Sequence, residues 1–207
     1  MPDRPRHFSL LRTFVLADFL TLGNAAAGTG AILSCLAYVA SGDVSHAWTA
    51  IALLPVAFVL DVLDGTVARW RHRQSPLGAD LDSLSDIVSF GVAPAVLGFA
   101  LGLRGGWDAV VLVIFVACGI ARLARFNVTA AALSDERGKV RYFEGTPIPA
   151  SLLLVLLLAV ALWRGAVHDA VWLGAVALGP WTLHPLALLY AASGAAMVSA
   201  TLRIPKP

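Results

Sequence analysis

The chain has 207 residues, 58% of them hydrophobic and 14% charged. Soluble domains carry about a quarter charged residues, so this composition excludes an ordinary water-soluble fold and points to the bilayer as solvent. A formal net charge of +2 is too small to suggest nucleic-acid binding, and two cysteines, Cys35 and Cys118, both inside apolar runs, argue against a disulfide framework.

Residues 1–12 are basic and polar, with no short apolar run ending at a small-residue cleavage site, so no removed signal peptide is expected. Apolar stretches then follow at 14–41, 48–68, 84–103, 107–121, 149–163 and 185–202. They predict six membrane-spanning helices in an all-α integral membrane protein. Between the second and third lies a short link through Ser75 and Pro76, which makes those helices antiparallel neighbours. The longest polar segment is an expected loop at 128–146. Residues 166–183 are apolar but contain His168, Asp169 and Pro180, and read best as a connection with an interfacial piece. Residues 1–207 read as a single membrane-embedded domain, with residues 1–13 as a basic cytoplasmic segment.

The 15 Lys and Arg residues are sorted by this topology. Arg4, Arg6, Arg12, Arg69, Arg71, Arg73, Arg122, Arg125, Arg137, Lys139, Arg141, Arg203 and Lys206 fall on one side, against Arg104 and Arg164 on the other. The positive-inside rule makes the first side cytoplasmic, so both termini and the loop after helix 4 are expected there. Trp48, Trp107, Trp163 and Trp181 fall near the opposite ends, as an interfacial aromatic belt would.

The chemistry lies between Asp61 and Asp86, in DVLDGTVARWRHRQSPLGADLDSLSD. Asp61 and Asp64 are spaced i, i+3 at the end of helix 2, and Asp82 and Asp86 are spaced i, i+4 at the start of helix 3. Each pair shares a helical face. Antiparallel packing brings four carboxylates together at the cytoplasmic edge of the bilayer, where ionisable groups are costly and signal function. Like charges so close need a cation among them. All-oxygen ligands suit Mg²⁺ or Mn²⁺, and a pair of such ions can clamp a pyrophosphate. Gly65 and Ala68 would let a flat nucleotide or a phosphate approach the backbone, and Arg69 adds a fixed positive charge.

The pattern Asp61-x₂-Asp64-Gly65-x₂-Ala68-Arg69-x₈-Gly78-x₃-Asp82-x₃-Asp86 resembles the complete signature of the CDP-alcohol phosphotransferases. The resemblance implies a six-helix membrane fold, a homodimer, and a site open to cytoplasm and lipid. It implies that Asp61, Asp64 and Asp82 are metal ligands and that Asp86 is both ligand and general base. It also implies that CDP-diacylglycerol contacts Gly65, Arg69 and Ser75, with Ala68 and Gly78 as the other small positions of the motif.

Around the motif, LTLGNAAAG (residues 20–28), DSLSDIVSFGVAPA (82–95), RLARFNV (122–128), YFEGTPIPA (142–150) and the terminal MVSATLRIPKP resemble the phosphatidylserine synthase branch of that family. The chain departs from that branch at Thr66, Asp80 and Thr146. The implied reaction moves a phosphatidyl group from CDP-diacylglycerol to the hydroxyl of L-serine, giving phosphatidylserine and CMP. Other acceptors (glycerol 3-phosphate, inositol phosphate) and an ether-lipid donor stay open, as does, distantly, a cation transporter whose carboxylates line a path.

Arginine forks suit a serine carboxylate, which makes Arg122 and Arg125, with Asn127 nearby, candidate serine-binding residues; the alternative is that they anchor the helix in the interface. Asn24 is a candidate for the nucleotide or for a neighbouring helix. Asp18 reads as a helix-end residue, and His46, His72, His168 and His184 as interfacial. Gly23, Ala27, Gly28 and Gly30 read as a packing surface.

Overall fold

The computed structural model describes residues 14–71, 77–134, 142–199 and 203–205. Six helices carry it: α1 (Leu16–Ser41), α2 (Val44–Arg71), α3 (Gly78–Leu101), α4 (Gly106–Ser134), α5 (Ile148–Trp163) and α6 (Pro185–Val198). By length and composition, α1, α3 and the segments Val44–Val67 and Gly106–Val128 of α2 and α4 can each cross a membrane, whereas α5 and α6 are shorter apolar helices. Apolar side chains such as Leu153 (71% exposed) and Val113 (69%) project outward from these helices. Lipid, rather than water, is the solvent that such a surface suits.

The buried face of α1 repeats every three or four residues through Ala17, Asp18, Thr21, Asn24, Ala27, Gly28, Ala31, Cys35 and Tyr38. Most are small, so α1 packs closely on α2 along its length and on α3 beside it. Gly28 shows why the stripe matters: a Cβ there would sit 2.8 Å from the Ser89 Cα. The Ser89 hydroxyl uses that proximity to donate to the Asn24 backbone carbonyl (2.9 Å). The packing-surface expectation for α1 therefore holds at Gly28. Gly42 ends α1 in the left-handed conformation (φ +73°), its N–H returning to the Tyr38 carbonyl at 2.8 Å. Asp43 then opens α2 by accepting from the Ser45 N–H (2.9 Å), which holds its carboxyl below the usual carboxylate range.

Within α3, residues Ile87–Val92 form a π-helical turn directly after Asp86. Pro94, which has no N–H to give, follows it, and the freed register is closed by the Ala93 N–H reaching the Val88 carbonyl. The buried Tyr190 of α6 donates its hydroxyl to the Pro94 carbonyl (2.7 Å) and meets Phe115 of α4 edge-on. These contacts tie α3, α4 and α6 into one core.

Several helix limits differ from the hydropathy reading. α3 starts at Gly78, well before the apolar stretch at 84, and α4 continues through RLARFN to Ser134. The expected loop at 128–146 is thus helical in its first part. Arg, Leu and Ala are strong helix formers, and the charged residues end the apolar run without ending the helix. Residues 166–183 form a short 3-10 turn (His168–Ala170) and an antiparallel hairpin of β2 (Val176–Leu178) and β3 (Trp181–Leu183). A second small pairing joins β1 (Tyr142–Glu144) to β4 (Arg203–Pro205), so the segment before α5 meets the segment after α6.

The hairpin end is held by specific bonds. The fully buried Asp108, in the first turn of α4, accepts from the Gly105 N–H and the His184 N–H (2.8 Å each) and pairs with His184 Nδ1 at 2.5 Å. Trp107 donates to the Leu178 carbonyl (2.9 Å), and His168 stacks on Tyr38 while hydrogen-bonding its hydroxyl (2.8 Å). His168 and His184 are therefore latches between elements, a more specific role than the interfacial one expected, and His72 lies outside the described residues. Cys35 and Cys118 are free thiols.

Candidate active site

The acidic residues converge as their spacing predicts. Ligand oxygens of Asp61 and Asp64 on α2 and Asp82 on α3 all lie within 4.8 Å of one another. Asp64 is 5% exposed and Asp86 7%, while Asp61 and Asp82 are half-buried. Asp86 lies one turn beyond Asp82, with its carboxyl group within hydrogen-bonding reach of Asp61. Asp64 precedes the end of α2 by seven residues, or about 10 Å along the helix, so the cluster sits inside one end of the bundle. The donor set is all carboxylate oxygen, partly desolvated and mutually repelling. That is the chemistry of a hard divalent-cation site, and the spacing of three ligand atoms fits one.

Helix α1 supplies the neutral partners. The Thr21 hydroxyl donates to Asp64 Oδ2 at 2.6 Å, and Asn24 Nδ2 donates to Asp86 Oδ1 at 3.2 Å. The alternative that Asn24 binds a neighbouring helix is thus realised. Its Oδ1 stays buried without a hydrogen-bond partner among the described residues, an acceptor next to the acids that an incoming donor group would satisfy. Thr21 was not singled out from the sequence. The available signal was its placement, one turn before Asn24 and two before Gly28, on the same face of α1. Asp18 also lies on this face, buried, with its carboxylate capping the helix at the Val15 N–H (2.8 Å). The helix-end reading of Asp18 stands.

On the α4 side, Arg122 is close enough to Asp86 for their charges to interact, and its guanidinium lies over the Phe126 ring. Arg125 instead donates to the Val198 carbonyl at the end of α6 (3.3 Å), where a cation complements the helix dipole. Asn127 is bonded to Ser83 of α3 (3.0 Å). Of the three candidate serine-binding residues, Arg122 is the one shown with its charge reaching an acid of the cluster. Gly65 and Gly78 stand on the two acid-bearing helices. Ser75 lies outside the described residues, as do the side chains of Ala68 and Arg69.

The family model for CDP-alcohol phosphatidyltransferases matches residues 14–181, which include every one of these positions. The chain belongs to that family. Several relatives similar to the chain share one name. The CDP-diacylglycerol–serine O-phosphatidyltransferase of Saccharomyces cerevisiae is 42% identical over 204 residues, covering 97% of this chain and 74% of that one. Proteins of the same name from Mycobacterium leprae (38% over 174 residues; 80% of this chain, 54% of that one) and Methanocaldococcus jannaschii (35% over 149 residues; 72% and 62%) are also similar. Membership of the family, together with the four apolar helices, makes this an integral membrane protein.

Proposed function

We propose that this enzyme transfers a phosphatidyl group from CDP-diacylglycerol to the hydroxyl of L-serine, yielding phosphatidylserine and CMP. The convergence of Asp61, Asp64 and Asp82 beside Asp86 supports the reaction, and the names of the relatives support the acceptor. In this reading Asp61, Asp64, Asp82 and Asp86 hold Mg²⁺ or Mn²⁺, two ions in all. Cations held there would offset the charge of the pyrophosphate and of the departing CMP. Gly65, Ala68, Arg69, Ser75, Gly78 and Asn24 receive the CDP moiety. Arg122 holds the serine carboxylate, and Asp86 accepts the proton of the serine hydroxyl. The serine oxygen forms a bond to the phosphorus carrying diacylglycerol as the bond from that phosphorus to CMP breaks. Holding the partners in line supplies much of the rate.

The deciding experiment is an acceptor panel with purified protein. Serine, glycerol 3-phosphate, inositol phosphate and inositol are each offered with CDP-diacylglycerol, and lipid products are separated. Phosphatidylserine as the dominant product is expected. A dominant product from another alcohol would keep the chemistry and overturn the acceptor.

The same reading takes all six helices across the cell membrane as a homodimeric multi-pass protein. It places both termini and the acid cluster on the cytoplasmic side, following the distribution of Lys and Arg. With Cys35 and Cys118 first replaced by Ala, single cysteines in place of Pro5, Asp135 and Lys206 should react with impermeant thiol reagents only from the cytoplasmic side. Asp169→Cys, at an exposed position of the hairpin end, should react only from the other. Labelling of position 135 from the same side as 169 would reject the six-span arrangement.

A further inference from the structure

We propose that Thr21 is a positioning residue of the metal site, fixing the Asp64 carboxylate through its hydroxyl. The proposal rests on the cation-binding reading of the acid cluster and goes beyond it, to a residue outside the aspartate motif.

A threonine within a helix ordinarily returns its hydroxyl to the carbonyl four residues back. Thr21 has that option, with the Ala17 carbonyl 3.1 Å away, but Asp64 Oδ2 is closer, at 2.6 Å. A hydroxyl has one proton. The shorter contact lies in the range of charge-assisted O–H···O⁻ bonds, and the longer one lies beyond the usual O–H···O distance. The hydroxyl therefore directs its proton to Asp64. Both residues are nearly sealed from solvent, at 4% and 5% exposure, so water cannot substitute for the hydroxyl. The Gly65 backbone N–H reaches the same carboxylate from its own helix, and Thr21 is the restraint that comes from outside α2. With Oδ2 engaged, the rotation of the carboxylate is set, and with it the direction in which its remaining lone pairs face a cation. Asn24 makes the parallel contact to Asp86 one turn further along α1. Without Thr21, Asp64 would be free to turn away from Asp61 and Asp82, whose negative charges repel it.

Hydrogen-bonding partners of metal ligands typically matter at the level of roughly 10- to 100-fold in metal affinity, and that is the effect expected of Thr21→Val. Valine matches threonine in shape and lacks only the hydroxyl function. Mn²⁺ binding to purified protein in nanodiscs, without substrate, is followed by electron paramagnetic resonance on the parent, Thr21→Val, Thr21→Ser and Asp64→Asn, with thermal unfolding of the metal-free proteins alongside. The parent should bind Mn²⁺ and Asp64→Asn should lose binding. Thr21→Val should weaken binding by that factor with little change in metal-free unfolding, and Thr21→Ser should restore it to near the parent. Saturating Mn²⁺ should also recover most of the turnover of Thr21→Val. If Thr21→Val proves unstable, Thr21→Ala takes its place in the same comparison. Parent-like Mn²⁺ affinity in the hydroxyl-free variant, with Asp64→Asn still deficient, overturns the role of Thr21 and leaves the metal site standing. Parent-like affinity in Asp64→Asn overturns the metal reading of Asp64, and the proposal with it.

Discussion

Asn in place of any one of Asp61, Asp64 or Asp82 should reduce CMP release to below a few per cent of the parent while leaving the protein folded. Three ligand oxygens lie within 4.8 Å of one another, and a cation site built on them beside Asp86 would lose most of its binding when one carboxylate becomes an amide. Asn preserves size and can still accept the hydrogen bond from Thr21, so the packing around Asp64 should survive. The metal-free variants should unfold at the same temperature as the parent or higher, because one of several mutually repelling buried charges has been removed. Added Mg²⁺ or Mn²⁺ should raise the unfolding temperature of the parent and much less that of the variants. Activity above a few per cent in all three would show that the cluster does not carry the metal.

Arg122→Ala should raise the KM for serine by roughly 10- to 150-fold, the equivalent of about 1.5–3 kcal/mol for a hydrogen bond to a charged group. In the proposed role the guanidinium would meet the carboxylate in the ground state and in the transition state alike, so KM should carry most of the change. Arg122→Lys keeps the charge without the planar fork and should fall between Ala and the parent. Arg125→Ala is the internal comparison. Its side chain is committed to the Val198 carbonyl, so serine KM should stay close to the parent. The KM for CDP-diacylglycerol should be near normal in all of them. A parent-like serine KM in Arg122→Ala, or a loss confined to the nucleotide lipid, would move Arg122 from the acceptor to the phosphates.

The acid cluster was legible in the sequence because its geometry is local. Two short helical spacings and one short link are enough to bring Asp61, Asp64 and Asp82 together, whatever the rest of the fold does. Thr21 was not legible, because its meaning depends on which face of α1 meets α2, a tertiary fact that Gly28 and Ser89 help to set. Arg122 and Arg125 looked equivalent in sequence. Three residues apart, they share a broad helical face, and only the position of α6 separates them. Hydropathy located the apolar body of each helix but misjudged the limits of α3 and α4, since lipid exposure ends where charge begins and the backbone hydrogen bonding does not. The β2–β3 hairpin escaped a helix-based reading because Gly174 and Gly179 take left-handed backbone around β2 in a run that is otherwise apolar enough for a helix.

The latched end of the bundle has a consequence for the membrane as a whole. His168 on Tyr38, His184 on Asp108 and the apolar residues Leu101, Leu103 and Val171 beneath them close the bundle at the end away from the acids. Asp108, the acid at that end of α4, is already paired. Crossing hydrocarbon unaided is costly for a charged lipid headgroup. In the proposed reaction, donor and product would then enter and leave through the same leaflet. The proposed reaction would exchange one diacyl lipid for another within one leaflet, leaving the number of lipids there unchanged and altering only the headgroup and its charge. Spread of the new headgroup to the other face would fall to a separate transbilayer carrier, whose throughput would set how unequal the two faces become in composition.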